Sequence, residues 1–341
     1  MKSTISKSGF LEFVPISLFG AVMGLCGLCF SWRLADRAWG VGHITGEIIG
    51  VAAIICFLLL SCVYAVKWAK YPAIVSSEFR HPVQVCFFAT FIVSLLLIPG
   101  ILLPYFPSLA SLTWITGTVL IFTFALIVLR KWLDKPQDVK SALPVWILPV
   151  VGTLDVPIAG SYIQISGSRE ISLMFFGIGI VFAVILLVVV ISRLIFQEPL
   201  PSQMQPTMLI LTGPFALAYT GYIEMTGKQD MPAIIMFYFN LFLFLLVAGK
   251  IFLLPKTCPF RISWWSVSFP LTAITGACFH YASYSSSGIH KLLALVMLVI
   301  ASTVILYLFI QTIFQITTNT FVPLDSPENT SNSTSLPYQS P

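Results

Sequence analysis

Few side chains in this sequence are placed to do chemistry. The four histidines, His43, His81, His280 and His290, fall in different loops or helix ends. Their spacing brings no three ligands together for a metal. No His-Glu-x-x-His pair, glycine-rich phosphate loop or nucleophile elbow occurs, so metal hydrolysis, nucleotide chemistry and acyl transfer lack their machinery, and no cofactor is expected. Cys26-Gly-Leu-Cys29 has redox spacing but lies inside a long apolar run without a strand-turn-helix setting, so it reads as packing. The other five of the seven cysteines define no disulfide framework.

Asp155 is different. It sits midway along an apolar stretch, within Gly152-Thr-Leu-Asp-Val-Pro157. A carboxylate there is costly unless protonated, paired or hydrated. It can serve proton coupling, tune the field of a pore, or hydrogen-bond a neighbouring helix.

The elements that position Asp155 follow from composition. Of 341 residues, 57% are hydrophobic and 9% charged. Soluble domains carry about 25% charged residues, so a water-soluble fold is excluded. The pattern predicts an all-α polytopic membrane protein whose ten apolar segments cover 13–32, 48–66, 82–103, 108–129, 142–165, 171–192, 207–223, 232–249, 262–279 and 292–314. Barrel strands are excluded because the apolar runs neither alternate with polar residues nor stop at strand length. Three regions result: a short cytosolic N-terminus at 1–12, a ten-helix transport domain at 13–316, and a disordered cytosolic tail at 317–341. The first segment is too long and lacks a cleavage site for a signal peptide, so it reads as a retained helix. Asn329-Thr-Ser and Asn332-Ser-Thr in the tail match a glycan acceptor by chance on this topology.

Lysine and arginine set the orientation. Loops on the N-terminal side carry thirteen of them and the opposite loops five, which predicts both termini in the cytosol of a cell membrane. The net charge of +5 follows that bias, and no nucleic-acid surface is implied.

Proline carries a second pattern. Pro15, Pro99, Pro149 with Pro157, Pro214 and Pro270 lie in the first, third, fifth, seventh and ninth segments, and the even segments have none inside. Each proline removes a backbone donor and clashes with the preceding turn. Open turns are tolerated in a membrane only where protein, hydroxyls or a watery cavity receive them. The odd segments are therefore expected to form an inner ring around a central pore with the even segments facing the lipid bilayer, as five hairpins that each pair one kinked helix with one straight helix. Glycine, serine and threonine cluster on the same odd segments, among them Gly20, Gly24, Gly27, Gly152, Gly213, Ser268 and Thr272. No lysine or arginine occupies the middle of an odd segment, so a small anionic substrate would meet dipoles instead of fixed cations. Phe19, Phe215 and Phe269 are available to close the path.

The run Trp264-Trp-Ser-Val-Ser-Phe-Pro-Leu-Thr272 followed by Tyr281-Ala282 has companions in Phe13-Val-Pro-Ile-Ser-Leu-Phe-Gly-Ala-Val-Met-Gly-Leu25, Glu78-Phe-Arg-His-Pro82 and Phe175-Phe-Gly177. Together they resemble the tellurite-resistance/dicarboxylate transporter family, which includes bacterial TehA proteins and plant slow anion channels. The resemblance runs from about residue 11 to 316. It implies five helical hairpins around a pore, a homotrimer with one pore per protomer, and a pore-occluding phenylalanine on the ninth helix whose match is Phe269, with Pro270 supplying the kink. It also implies a transporter or channel, not an enzyme. The expected cargo is a C4-dicarboxylate or related organic acid, with a chloride or nitrate channel, a sulfite- or tellurite-related exporter, or a non-transporting receptor or assembly factor as alternatives. Asp155 matches no family motif.

Overall fold

A computed structural model describes Glu12 and residues 14–318. The expected N-terminal region, the tail and its two acceptor-like motifs otherwise lie outside the described residues. The described chain is all-helical, and seven of its helices are long and apolar enough to cross a membrane. We number the α-helices α1 Phe19–Trp39, α2 Ile44–Lys70, α3 Pro72–Arg80, α4 Phe88–Leu102, α5 Pro107–Asp134, α6 Leu148–Val151, α7 Asp155–Gly160, α8 Ser168–Phe196, α9 Gly213–Thr226, α10 Met231–Thr257, α11 Ser268–Tyr284 and α12 Gly288–Thr317.

Two populations of helix alternate along the chain. The helices α2, α5, α8, α10 and α12 are long, and their apolar surface remains largely uncovered: between 17% and 39% of each apolar window is buried. The windows containing α1 and α4 are 72% and 78% buried. Leucine, isoleucine and valine on the long helices point outward, as hydrocarbon requires and water would not permit.

Each buried segment begins in a tight 3-10 turn before it becomes α-helical. These turns are Ile16–Leu18, Gln84–Phe87, Pro144–Ile147, Ser202–Thr212 and Ile262–Val267. A 3-10 stretch of eleven residues is unusual, since its hydrogen bonds are poorer than those of an α-helix. It gives the seventh expected segment its length, from Ser202 through Thr226. The fifth is broken again at Gly152–Leu154, between Pro149 and Pro157. Pro99 has a milder effect, and α4 continues through it. One expectation needs correction: Pro255 lies within α10, because that helix runs past residue 249 to Thr257.

The buried segments touch in a closed order: α1 packs on α4, α4 on α7, α7 on α9, α9 on α11, and α11 returns to α1. Each also packs against the long helix that follows it. Serine and threonine fasten the ring through carbonyls. Thr90 Oγ1 donates to Ile16 O at 3.2 Å, Ser94 Oγ to Phe19 O at 3.1 Å, and Ser268 Oγ to Gly20 O at 3.1 Å.

Where α1 meets α11, glycine is required by space. A Cβ at Gly24 would stand 2.5 Å from Ser268 Cβ, and one at Gly27 would stand 2.8 Å from Thr272 Cβ. Gly24→Ala therefore forces the two backbones apart and is expected to cost roughly 1–3 kcal/mol. Thermal unfolding in detergent checks this. Adding Ser268→Gly restores the space and should recover most of the loss, whereas Ser268→Ala keeps the Cβ and should not.

Candidate functional site: a divided axial cavity

Two cavities lie end to end inside the ring. The narrow chamber, about 50 Å³, is bounded by the first turns of all five inner segments, with Ser17, Thr90, Val151, Pro214 and Ser266 in its wall. The wide chamber, about 230 Å³, opens among their later turns. Three residues line both: Asp155, Leu217 and Phe269. These residues lie where the two chambers adjoin and are the candidate partition between them.

Phe269 is the second residue of α11, at the step from 3-10 to α geometry. Its neighbours in sequence fix it. Ser268 Oγ holds the Trp265 and Gly20 carbonyls, and Thr272 Oγ1 donates to the Phe269 carbonyl at 2.9 Å. The ring is 8% exposed, and Pro270 follows it in the wall of the narrow chamber.

Asp155 begins α7, directly after the break at Gly152–Leu154. Two close contacts press this broken segment inward. A Cβ at Gly152 would meet Val93 Cγ2 at 2.8 Å, and one at Gly179 would meet the Leu154 side chain at 2.6 Å. Trp114 Nε1 donates to the Val156 carbonyl at 3.0 Å, satisfying backbone next to the break. The Asp155 carboxylate is 1% exposed, and neither oxygen has a hydrogen-bond partner.

The other residues singled out in the sequence divide between cavity wall and packing. Pro214 and Pro270 border the narrow chamber. Pro15 sits in extended backbone just before the first 3-10 turn, Pro149 precedes the break at Gly152–Leu154, and Pro157 follows Asp155 in α7. Pro99 is buried within α4. Phe19 and Phe215 border neither chamber. Phe19 makes edge contacts with Phe57 and Phe91, at centroid distances of 5.9 and 5.1 Å, and Phe215 does so with Phe239 at 4.6 Å. Both rings turn toward a long helix instead of the axis, which separates them from Phe269.

The charges of the wide chamber are not evident in the sequence. Arg33 and Arg37 read there as loop cations, and Glu224 falls one residue beyond its expected segment. All three lie on helices that extend further than expected, and with His280 they converge on the chamber wall. Arg33 is committed to Glu47 at 2.8 Å and to the Gly100 carbonyl. His280 Nε2 lies 3.5 Å from Glu224, which also accepts from the Tyr162 hydroxyl. Among the described residues, no group of three His, Cys, Asp or Glu is placed to hold a metal.

The narrow chamber has the opposite character. Among the described residues, Asp155 is the one ionisable group in its wall, and the Ser17 and Ser263 hydroxyls there are buried without partners. They are neutral groups able to donate hydrogen bonds into the chamber.

A family model described as voltage-dependent anion channel, SLAC1, matches residues 14–313, nearly the whole helical body. The chain belongs to the SLAC1 family. It is 25% identical to the S-type anion channel SLAH2 of Arabidopsis thaliana over 296 residues, which is 84% of this chain and 56% of that protein. With SLAH3 of the same plant the identity is 26% over 318 residues, covering 90% of this chain and 49% of that one. The tellurite resistance protein TehA homolog of Haemophilus influenzae is 25% identical over 312 residues, covering 90% and 92%. The chain thus spans about half the length of the plant channels it matches and nearly all of the bacterial relative. Membership of the SLAC1 family makes this a membrane protein of the anion-transport class.

Proposed function

We propose that the protein conducts small inorganic anions, such as chloride and nitrate, along the axis of the ring, and that Phe269 closes the passage. In this reading the chain crosses the membrane ten times as five hairpins, each joining a broken inner segment to the long helix after it. The observation that supports it is the shared wall: among the described residues, Asp155, Leu217 and Phe269 are the ones that line both chambers. An aromatic ring across so narrow a path excludes water and ions together. Unpartnered hydroxyls on one side and arginine on the other supply weak attraction without a trap.

The plant relatives are named as anion channels, which favours the channel alternative over the dicarboxylate transporter expected from the sequence. A second reading keeps the organic acids. Its support is the wide chamber, whose volume and Arg33, Arg37 and His280 suit a small carboxylate. Cytosolic termini follow from the distribution of basic residues, and a homotrimer follows from the family resemblance.

Purified protein in liposomes tests these readings together. Chloride and nitrate flux with little malate, succinate or sulfite movement is expected. Movement of malate or succinate in preference to chloride selects the second reading, and no flux of any anion through folded protein rejects both. Particle mass in detergent checks assembly, and protease access to the N-terminus in sealed cell-membrane vesicles of known sidedness checks orientation.

A further inference from the structure

A conduit for anions is poorly served by a carboxylate at its narrowest point, yet Asp155 stands in the partition with both oxygens unpartnered. We propose that Asp155 carries a proton whenever an anion crosses the partition, so that anion passage is linked to proton transfer between the two chambers. This rests on the anion-conducting reading above.

Among the described residues, no cation is paired with the group. Among its packing partners, α4 contains no ionisable side chain, and neither does α6, which precedes it in the same broken segment. In α5 the ionisable residues Arg130, Lys131 and Asp134 occupy the last two turns, and in α8 Arg169, Glu170 and Arg193 lie near the ends. The α9 helix brings Tyr219, Tyr222 and Glu224. Tyr222 donates to Asp230, and Tyr219 packs on Phe237 and Tyr281. Across the wide chamber stand Arg33, Arg37, Tyr162 and His280. None of these groups forms an ion pair or hydrogen bond with Asp155. A proton is the counter-charge that needs no room, and the narrow chamber has little: about 50 Å³ holds one or two waters.

The transfer balances without a further reactant. A proton leaves a hydronium ion in the wide chamber, beside Glu224 and His280, and forms an O–H bond on Asp155. That bond later breaks to water in the narrow chamber, and the reverse route uses the same steps. While protonated, the carboxyl presents no like charge to the anion and donates a hydrogen bond to it. Once it is deprotonated, repulsion shuts the path to the next anion.

Nitrate is the probe, because it remains an anion at every working pH and brings no proton of its own. Full-length protein is placed in liposomes that contain a pH dye, with the membrane potential clamped by potassium and valinomycin. Nitrate influx is expected to acidify the interior, with flux rising on the order of tenfold as pH falls from about 8 to about 5. Asp155→Asn should abolish the acidification, flatten the pH profile and move nitrate faster than wild type at the alkaline end. Nitrate flux in wild type without acidification overturns this inference and leaves the conduction reading standing. Absence of nitrate and chloride flux in folded wild type overturns both. A folded Asp155→Asn that still acidifies the interior, or that moves no nitrate, also overturns it. If Asp155→Asn does not fold, Asp155→Glu decides: a displaced pH midpoint is expected, and an unchanged one overturns the proposal.

Discussion

Phe269→Ala is expected to raise nitrate flux through the reconstituted protein by roughly tenfold or more, since a loss of about 1.4 kcal/mol from the barrier suffices for that. The ring belongs to the wall of both chambers, and its loss joins them across the partition. Leu217 remains, so the passage widens without becoming a free pore. Phe269→Leu should lie between wild type and Ala, because a branched aliphatic side chain fills part of the ring's volume. Stability should fall by less than the ~3–5 kcal/mol of a closed-core Phe→Ala change, as the side chain already borders cavities. Flux at the wild-type level through a folded Phe269→Ala protein would sink the gate assignment. Phe19→Ala and Phe215→Ala are the matching controls. Their rings pack on Phe57, Phe91 and Phe239, so these changes should cost stability and leave the conductance of the folded fraction near that of wild type.

Glu78→Gln is expected to destabilise the protein by about 3 kcal/mol or more, the usual cost of removing one partner of a buried ion pair. Lys67 is 1% exposed near the end of α2, where its Nζ donates to Glu78 at 2.5 Å and to the Val14 carbonyl at 2.8 Å. Tyr64 donates to the other Glu78 oxygen at 2.8 Å. These bonds fasten α3 and the entry to the first inner segment onto α2. The amide in Glu78→Gln keeps the shape but leaves a buried ammonium without its counter-charge. Denaturation midpoints in detergent should show a loss larger for Glu78→Gln than for Tyr64→Phe. The double change Lys67→Met with Glu78→Leu removes both charges and should recover much of the loss. Equal stability of Glu78→Gln and wild type would show that the pair is solvated and the ammonium free to reach water.

Parts of this arrangement are legible in particular residues. Proline at 15, 99, 149, 157, 214 and 270 marks the buried segments because the residue acts on its own backbone, whatever surrounds it. The motif Glu78-Phe-Arg-His-Pro82 is equally readable as a unit. Its structural content appears only in the fold, where Glu78 meets Lys67 and His81 Nδ1 accepts from the Val83 and Gln84 amides at 3.2 Å. The boundaries of the long helices were harder to place. Lys67, Arg193 and Lys256 look like loop residues by charge, yet lie inside helices whose ends extend beyond the apolar windows. A charged side chain can stay helical at a membrane boundary by bending back toward water or a partner.

The sequence by itself determined the membrane class, the helical alternation and the isolation of Asp155, because these depend on composition and on local backbone chemistry. The family resemblance already singled out Phe269, but only the tertiary structure placed it in the wall of both chambers with Phe19 and Phe215 in neither, added Leu217 beside it, and brought Arg33, Arg37, Glu224 and His280 to one chamber. Side-chain direction around a ring depends on where each helix switches from 3-10 to α geometry and on how closely its glycines let it approach its neighbours. Those are contacts between segments far apart in the chain, and no local run of residues contains them.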